Sequence, residues 1–208
     1  MLAALRDLVG EIPLAEWVAV AFALAYIVLA IRQHIACWAA SVASSAIFLV
    51  LFWRSGLVMQ AGLQVFYVAM AVYGAWSWRR GGEGGGQALP VTRWPARRHA
   101  IALALIVLVS AANGRGIAGP HGGVVPYVDA LTTWASVFAT WLVARKVLEN
   151  WLYWIVFDLL AAALYFSQGL QATAVLFVVY SLMAMRGYAS WRDDWRRRRA
   201  DAAGPAHA

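Results

Sequence analysis

The chain has 208 residues, of which 63% are hydrophobic and 13% charged, and its formal net charge is +7. Soluble domains carry about 25% charged residues, so this composition excludes an ordinary soluble domain and predicts an all-α integral membrane protein. The single cysteine excludes an internal disulfide framework and a multi-cysteine metal site. We expect neither a metal nor a cofactor.

Apolar runs predict seven membrane-spanning helices. Residues 1–11 mix acidic and basic groups, which predicts a short interfacial helix or a frayed end and no cleavable signal. The glycine cluster and two prolines between the third and fourth helices predict a flexible linker. The helices are expected at about 14–31, 35–54, 56–78, 98–113, 124–145, 149–167 and 169–190.

An internal repeat relates the two halves of the chain. Residues 56–78 and 169–191 align at an offset of 113, and 11 of these 23 positions are identical, including Gly74 with Gly187 and Trp78 with Trp191. The two glycines are expected to permit close helix packing. Elsewhere the copies match poorly, and Trp38 is aligned with Trp154.

Duplicated membrane helices are typical of transporters. The fourth helix has no counterpart, so we predict an arrangement of three, one and three helices. The extra crossing gives both copies the same orientation, which predicts parallel repeats. The predicted parts are a first repeat at 14–78, a cytoplasmic linker at 79–97, a linker helix at 98–113, a second repeat at 124–190 and a basic cytoplasmic tail at 191–208.

Basic residues predict the orientation in the membrane. They concentrate in residues 79–98, 145–146 and 192–199, which lie on one face if there are seven spans. That face should be cytoplasmic, with the N-terminus on the opposite side. The basic tail is interpreted as a partner of lipid headgroups and not of nucleic acid.

Polar side chains lie inside the predicted spans. In the sixth helix Asn150, Trp151, Trp154 and Asp158 share one face. A carboxylate near mid-membrane is expected to face the bundle interior or water, because its exposure to lipid costs roughly 2.5–3.5 kcal/mol. Tryptophan rings beside it suit a flat aromatic or cationic ligand.

The third helix places Gln60, Gln64 and Tyr67 on one face. Tyr180 is the repeat counterpart of Tyr67, and the two are expected to face each other across the pseudo-axis. Helix-to-helix hydrogen bonding is the alternative role for these polar groups. The predicted substrate-binding residues are Trp38, Gln60, Gln64, Tyr67, Asn150, Trp151, Trp154, Asp158, Thr173 and Tyr180.

Enzyme motifs are absent from the sequence, including the nucleophile elbow, the zinc-protease helix and the phosphate-binding loop. The four histidines have no recognised metal-ligand spacing. We therefore expect a protein that is not an enzyme and does not use ATP.

The stretches LQVFYVAMAVYGAWSW and ARKVLENWLYWIVFD resemble the PnuC family of bacterial vitamin transporters, over most of residues 15–191. The resemblance implies a fold similar to that of the SWEET sugar transporters. It also implies facilitated diffusion of nicotinamide riboside across the inner membrane, with trapping by a cytosolic kinase. The family's tryptophan pair falls on Trp151 and Trp154, and its third-helix glutamine on Gln64.

Two alternative functions stay open at this point. Relatives in the family carry thiamine or riboflavin, so the vitamin is not fixed. A membrane scaffold without flux would also need polar groups between its helices. The oligomeric state and any coupled ion are not determined by the sequence, and a homo-oligomer is compatible with it.

Overall fold

The computed structural model describes residues 14–56, 58–81, 88–118, 124–167, 169 and 171–203. The predicted interfacial segment at 1–11 lies outside these residues, as does most of the glycine cluster. Within the described ranges the chain is all-helical apart from one isolated β-bridge. The helices are α1 (Leu14–Ile31), α2 (Ala36–Arg54), α3 (Val58–Arg80), α4 (Ala96–Ala118), α5 (Val125–Ala144), α6 (Asn150–Ser167) and α7 (Gln171–Ala203).

Five of these helices are long and apolar enough to cross a membrane. They are α1, α2, α6, residues 96–116 of α4 and residues 174–202 of α7. The prediction of a multi-pass, all-helical membrane protein is thus confirmed in its coarse form. Among the described residues, α3 and α5 are not counted with these five, so the number of seven spans stays a prediction.

The helices fall into two compact units, Met1–Ala88 and Leu89–Ala208. In the first unit, α2 packs against both α1 and α3. In the second unit, α6 packs against both α5 and α7, and α4 packs against α5. In each set of three consecutive helices, α1–α3 and α5–α7, the middle helix therefore packs against the helix before it and the helix after it.

Helix ends coincide when the first unit is shifted by 113 residues. The last residues of α1 and α2, Ile31 and Arg54, fall on the last residues of α5 and α6. Two positions with positive φ also recur at this offset. Gln33 and Lys146 have φ values of 55° and 49°, and Gly56 and Gly169 have φ values of 74° and 78°. Side chains other than glycine rarely adopt positive φ, so the loops share one unusual geometry. The repeat extends well beyond the stretch in which sequence identity revealed it.

Trp38 lies in the core of the first unit, where 2% of it is exposed. Its indole meets Trp78 edge to face, with ring centroids 5.3 Å apart and planes at 81°. It also covers Gly74 so closely that a Cβ at that position would overlap the ring. The prediction that Gly74 permits close packing is confirmed.

Trp151 occupies the equivalent place in the second unit. It meets Trp191 edge to face at 5.4 Å and 88°, and a Cβ on Gly187 would lie 2.6 Å from its ring. Trp151 therefore corresponds to Trp38 at the common offset of 113. The alignment of Trp38 with Trp154 was wrong, because it matched one tryptophan in isolation while helix length and glycine contact set the true register.

Residues 89–95, hereafter the docked segment, pack on the loop that joins α5 to α6. The backbone N–H of Thr92 donates to the carbonyl of Lys146 at 2.9 Å, and the N–H of Leu148 donates to the carbonyl of Thr92 at 2.8 Å. These bonds form the parallel bridge between Thr92 and Val147. The prediction of a flexible linker is wrong for this part, because its backbone is tied to a loop more than 50 residues away.

The carboxylate of Glu149 holds the same segment. It accepts from the Arg93 guanidinium at 2.8 Å and from the backbone N–H of Trp94 at 3.2 Å. Arg93 and Glu149 form an ion pair, and the hydrogen bond to Glu149 raises the pKa of Arg93 above its usual value. His99 lies 3.8 Å from the same carboxylate and 3.0 Å from the Tyr153 hydroxyl. One buried acid thus joins the start of α6 to the chain that leads into α4.

Candidate substrate site

Helix α6 buries the polar face that the sequence predicts. Asn150 is 0% exposed, Trp151 4% and Asp158 6%, and Trp154 is half-buried. The prediction that Asp158 faces the protein and not the lipid is confirmed by this burial. Its role in binding a substrate stays a prediction.

Aromatic side chains of α6 and α7 lie close to Asp158. Tyr180 is near enough to the carboxylate to interact with it electrostatically. Phe177 meets Tyr180 edge to face at 5.9 Å and stacks on Tyr165 at 5.2 Å. Tyr165 was not predicted, although it follows Asp158 by seven residues and so lies on the same helix face. Tyr180 thus lies near the acid and is followed by the rings of Phe177 and Tyr165, an arrangement suited to a flat cationic ligand.

Trp154 packs against the apolar core of the second unit, which includes Tyr153 and Phe157 from its own helix. This cluster also contains Ile106 from α4 and Leu142 from α5. The Trp154 side chain is thus held in place by packing against this core. A rigid indole with a partly accessible face is suited to stacking on a planar ligand.

Two buried polar atoms at the start of α6 have no hydrogen-bond partner among the described residues. The Asn150 side chain donates to the carbonyl of Val147 at 2.6 Å, but its Oδ1 accepts nothing, and Nε1 of Trp151 donates to nothing. Leaving such a group unpaired costs about 1–3 kcal/mol. The pair supplies one acceptor and one donor that a polar ligand or a water can satisfy.

In the first unit the structure brings together only part of the predicted set. Tyr67 is half-buried and lies near Tyr26 of α1. Tyr26 in turn lies 6.0 Å from Trp38, and sequence reasoning missed it because α1 shows no similarity to α5. Gln64 is half-buried, whereas Gln60 is exposed.

Two further predictions concern α7. Thr173 lies in this helix, and its side chain is outside the described part. The expected approach of Tyr67 to Tyr180 concerns the placement of one repeat relative to the other and stays a prediction.

The fold and the buried polar face define a multi-pass membrane protein with candidate ligand groups inside its helical bundle. A family model described as nicotinamide mononucleotide transporter matches residues 13–193. The chain therefore belongs to the nicotinamide mononucleotide transporter family. Together with its apolar helices, this makes it a multi-pass protein of the bacterial inner membrane.

Named relatives carry vitamins of two kinds. The riboflavin/roseoflavin transporter RibM of Streptomyces davaonensis is 29% identical over 149 residues, which cover 70% of this chain and 68% of the relative. The nicotinamide riboside transporter PnuC of Escherichia coli K12 is 23% identical over 177 residues, covering 73% and 74%.

A solved structure has the same fold. The crystal structure of the vitamin B3 transporter PnuC superposes with a TM-score of 0.69 at 20% identity, covering 93% of this chain and 87% of that one. The resemblance to the PnuC family that the third and sixth helices indicate is confirmed.

Proposed function

We propose that the chain carries nicotinamide riboside across the bacterial inner membrane by facilitated diffusion. Family membership over residues 13–193 carries this proposal. The buried acid Asp158 and the aromatic rings beside it support the choice of a ligand with a flat cationic ring. No catalytic step is part of the proposal.

The ligand groups have separate roles. Trp154 stacks on the pyridinium ring, and Asp158 balances its charge. The Oδ1 of Asn150 and the Nε1 of Trp151, which lack protein partners among the described residues, bond to the carboxamide or the ribose hydroxyls. Gln64 and Tyr67 of the first repeat are proposed as further substrate-binding residues.

We also propose that the helices are arranged as two parallel repeats of three with α4 between them. The coincidence of helix ends and of positive-φ loops at an offset of 113 supports a full duplication. The C-terminus is cytoplasmic and the N-terminus is on the opposite side, as the basic residues indicate. A cytosolic kinase then traps the vitamin by phosphorylation.

A second candidate substrate is riboflavin, which the 29% identity to RibM favours. Riboflavin has a larger ring and no fixed positive charge, so the same aromatic residues would bind it without need of the Asp158 carboxylate. Thiamine, which has a cationic ring, would need that carboxylate.

Uptake into proteoliposomes tests transport and substrate together. We expect labelled nicotinamide riboside to enter until its internal and external concentrations are equal, and an imposed proton or sodium gradient to leave that plateau unchanged. Riboflavin or thiamine that competes more strongly than unlabelled riboside would reassign the substrate. Accumulation above the external concentration would exclude facilitated diffusion, and the absence of any flux would favour a scaffold.

The substitution Asp158→Asn tests the charge assignment, because it keeps the shape and removes the carboxylate. Loss of one partner of a buried charge pair costs at least about 2 kcal/mol, or about 30-fold in affinity. We expect the affinity for nicotinamide riboside to fall by this factor. The affinity for the reduced riboside should change little, because its dihydropyridine ring is uncharged. Isothermal titration of both ligands provides the measurement. An equal loss for the two would assign Asp158 a structural role.

A further inference from the structure

A groove opens on the second unit between α4 and α5, with a volume of about 350 Å³. Its walls are apolar and aromatic along their whole length, apart from one arginine. None of the predicted substrate-binding residues contributes to it. The lining residues are Trp94, Arg98, Ile101, Ala102, Leu105, Phe138 and Trp141.

Trp94 forms a rigid platform at one end of this groove. Its backbone is held by Glu149, and its ring packs edge to face on Trp141 at 5.4 Å and on Phe138 at 6.1 Å. The guanidinium of Arg98 lies over this platform, 5.7 Å from the ring centroid. The cation is therefore positioned at the groove by an aromatic ring that is itself fixed.

Arg98 is available to an external anion. Neighbouring Arg93 is already paired with Glu149, whereas within the described residues Arg98 is in no ion pair. Its side chain is exposed at the start of α4. An arginine in this position attracts phosphate groups at the membrane surface.

The rest of the groove continues into the apolar zone. Ile101 and Leu105 follow Arg98 along α4 and are 53% and 55% exposed. Leu105 lies about 10 Å along the helix axis from Arg98. A free phosphate would use only the arginine, but a lipid would use the arginine and the apolar wall together.

We propose that this groove is a binding site for one anionic phospholipid. The phosphate is bound by Arg98 above Trp94, and one acyl chain lies along Ile101 and Leu105 against Phe138. The charge at one end and the unbroken apolar wall beyond it match the two parts of such a lipid. The groove contains none of the proposed vitamin-binding residues, so failure of the lipid proposal would leave the proposed transport function untouched.

The test uses the full chain purified in detergent, with dioleoylphosphatidylglycerol as the probe. We expect this lipid to raise the melting temperature and to remain bound in native mass spectrometry, while dioleoylphosphatidylcholine and inorganic phosphate do neither. Arg98→Gln should weaken the binding of phosphatidylglycerol about fivefold, which corresponds to the free energy that one arginine contributes at an anionic membrane surface. Arg98→Lys should restore part of it, and Ala102→Phe, which fills the groove, should also weaken it.

The matched control is Arg115→Gln, at the opposite end of the same helix, which should bind the lipid as the wild type does. Equal affinities of the Arg98→Gln and Arg115→Gln variants would overturn the site. Equal stabilisation by phosphatidylcholine or by inorganic phosphate would do the same. A disulfide between two copies carrying Leu105→Cys, with no lipid retained, would assign the groove to a subunit interface instead.

Discussion

Replacing Trp154 by alanine is expected to remove most vitamin binding. The indole is the largest half-buried ring on the polar face of α6, one turn from Asp158. Stacking of a planar ring on an aromatic side chain is worth about 1–3 kcal/mol, so the dissociation constant should rise about 5- to 150-fold. Titration of purified, monodisperse protein with nicotinamide riboside measures the change.

The same ring packs on the core of the second unit, so a loss of folding must be separated from a loss of binding. Trp154→Phe keeps an aromatic ring and most of the core contact, and it should retain both stability and much of the affinity. Trp53→Ala removes a tryptophan that is 66% exposed and should leave affinity unchanged. If Trp154→Ala stayed folded and bound the vitamin within about twofold of wild type, the assignment would be wrong.

Adding a methyl group at Gly187 is expected to destabilise the second unit. The new Cβ would lie 2.6 Å from the ring of Trp151, closer than carbon atoms pack. Overpacking of this kind costs about 1–3 kcal/mol. The melting temperature of the Gly187→Ala variant in detergent should therefore fall clearly below that of wild type.

Gly62→Ala is the matched control, because this helical glycine has open space around the position of a Cβ and alanine is the better helix former. It should be neutral or stabilising. The double variant Gly187→Ala, Trp151→Leu should lose less stability than the sum of the losses in the two single variants, since the smaller side chain relieves the overlap. A Gly187→Ala variant as stable as Gly62→Ala would show that the close contact does not constrain the fold.

Periodicity and composition predicted the helices, because a span through lipid has to be long and apolar. The end of α7 was predicted wrongly: the helix continues through the basic residues to Ala203 and does not stop at 190. The extent of the repeat was harder to predict. Trp38 and Trp151 hold the same place although α2 and α6 have diverged in sequence. The helix ends, the glycine and tryptophan contacts and the positive-φ residues reveal the equivalence. Sequence identity reports side chains, whereas the duplication is preserved mainly in helix lengths and loop geometry.

The docked segment could not be predicted for a different reason. Its prolines and neighbouring glycines are typical of a flexible connection, yet its order comes from a loop more than 50 residues later in the chain. Tyr26 was missed because α1 has no recognisable similarity to α5, whereas Tyr165 could have been found from its spacing of seven residues from Asp158. Asp158 was easier to identify, since a carboxylate inside an apolar span is costly wherever it points.

The pairing of Arg93 with Glu149 has a consequence for the order of events during synthesis. Arg93 leaves the ribosome 56 residues before its partner, so for that interval it is an unpaired positive charge next to α4. In the proposed topology it then helps to retain this end of α4 in the cytoplasm. Once Glu149 is made, the same charge is neutralised and fastens the finished chain. In that topology Arg93 first contributes to the orientation of α4 during insertion and later forms the ion pair that holds the docked segment on the second unit.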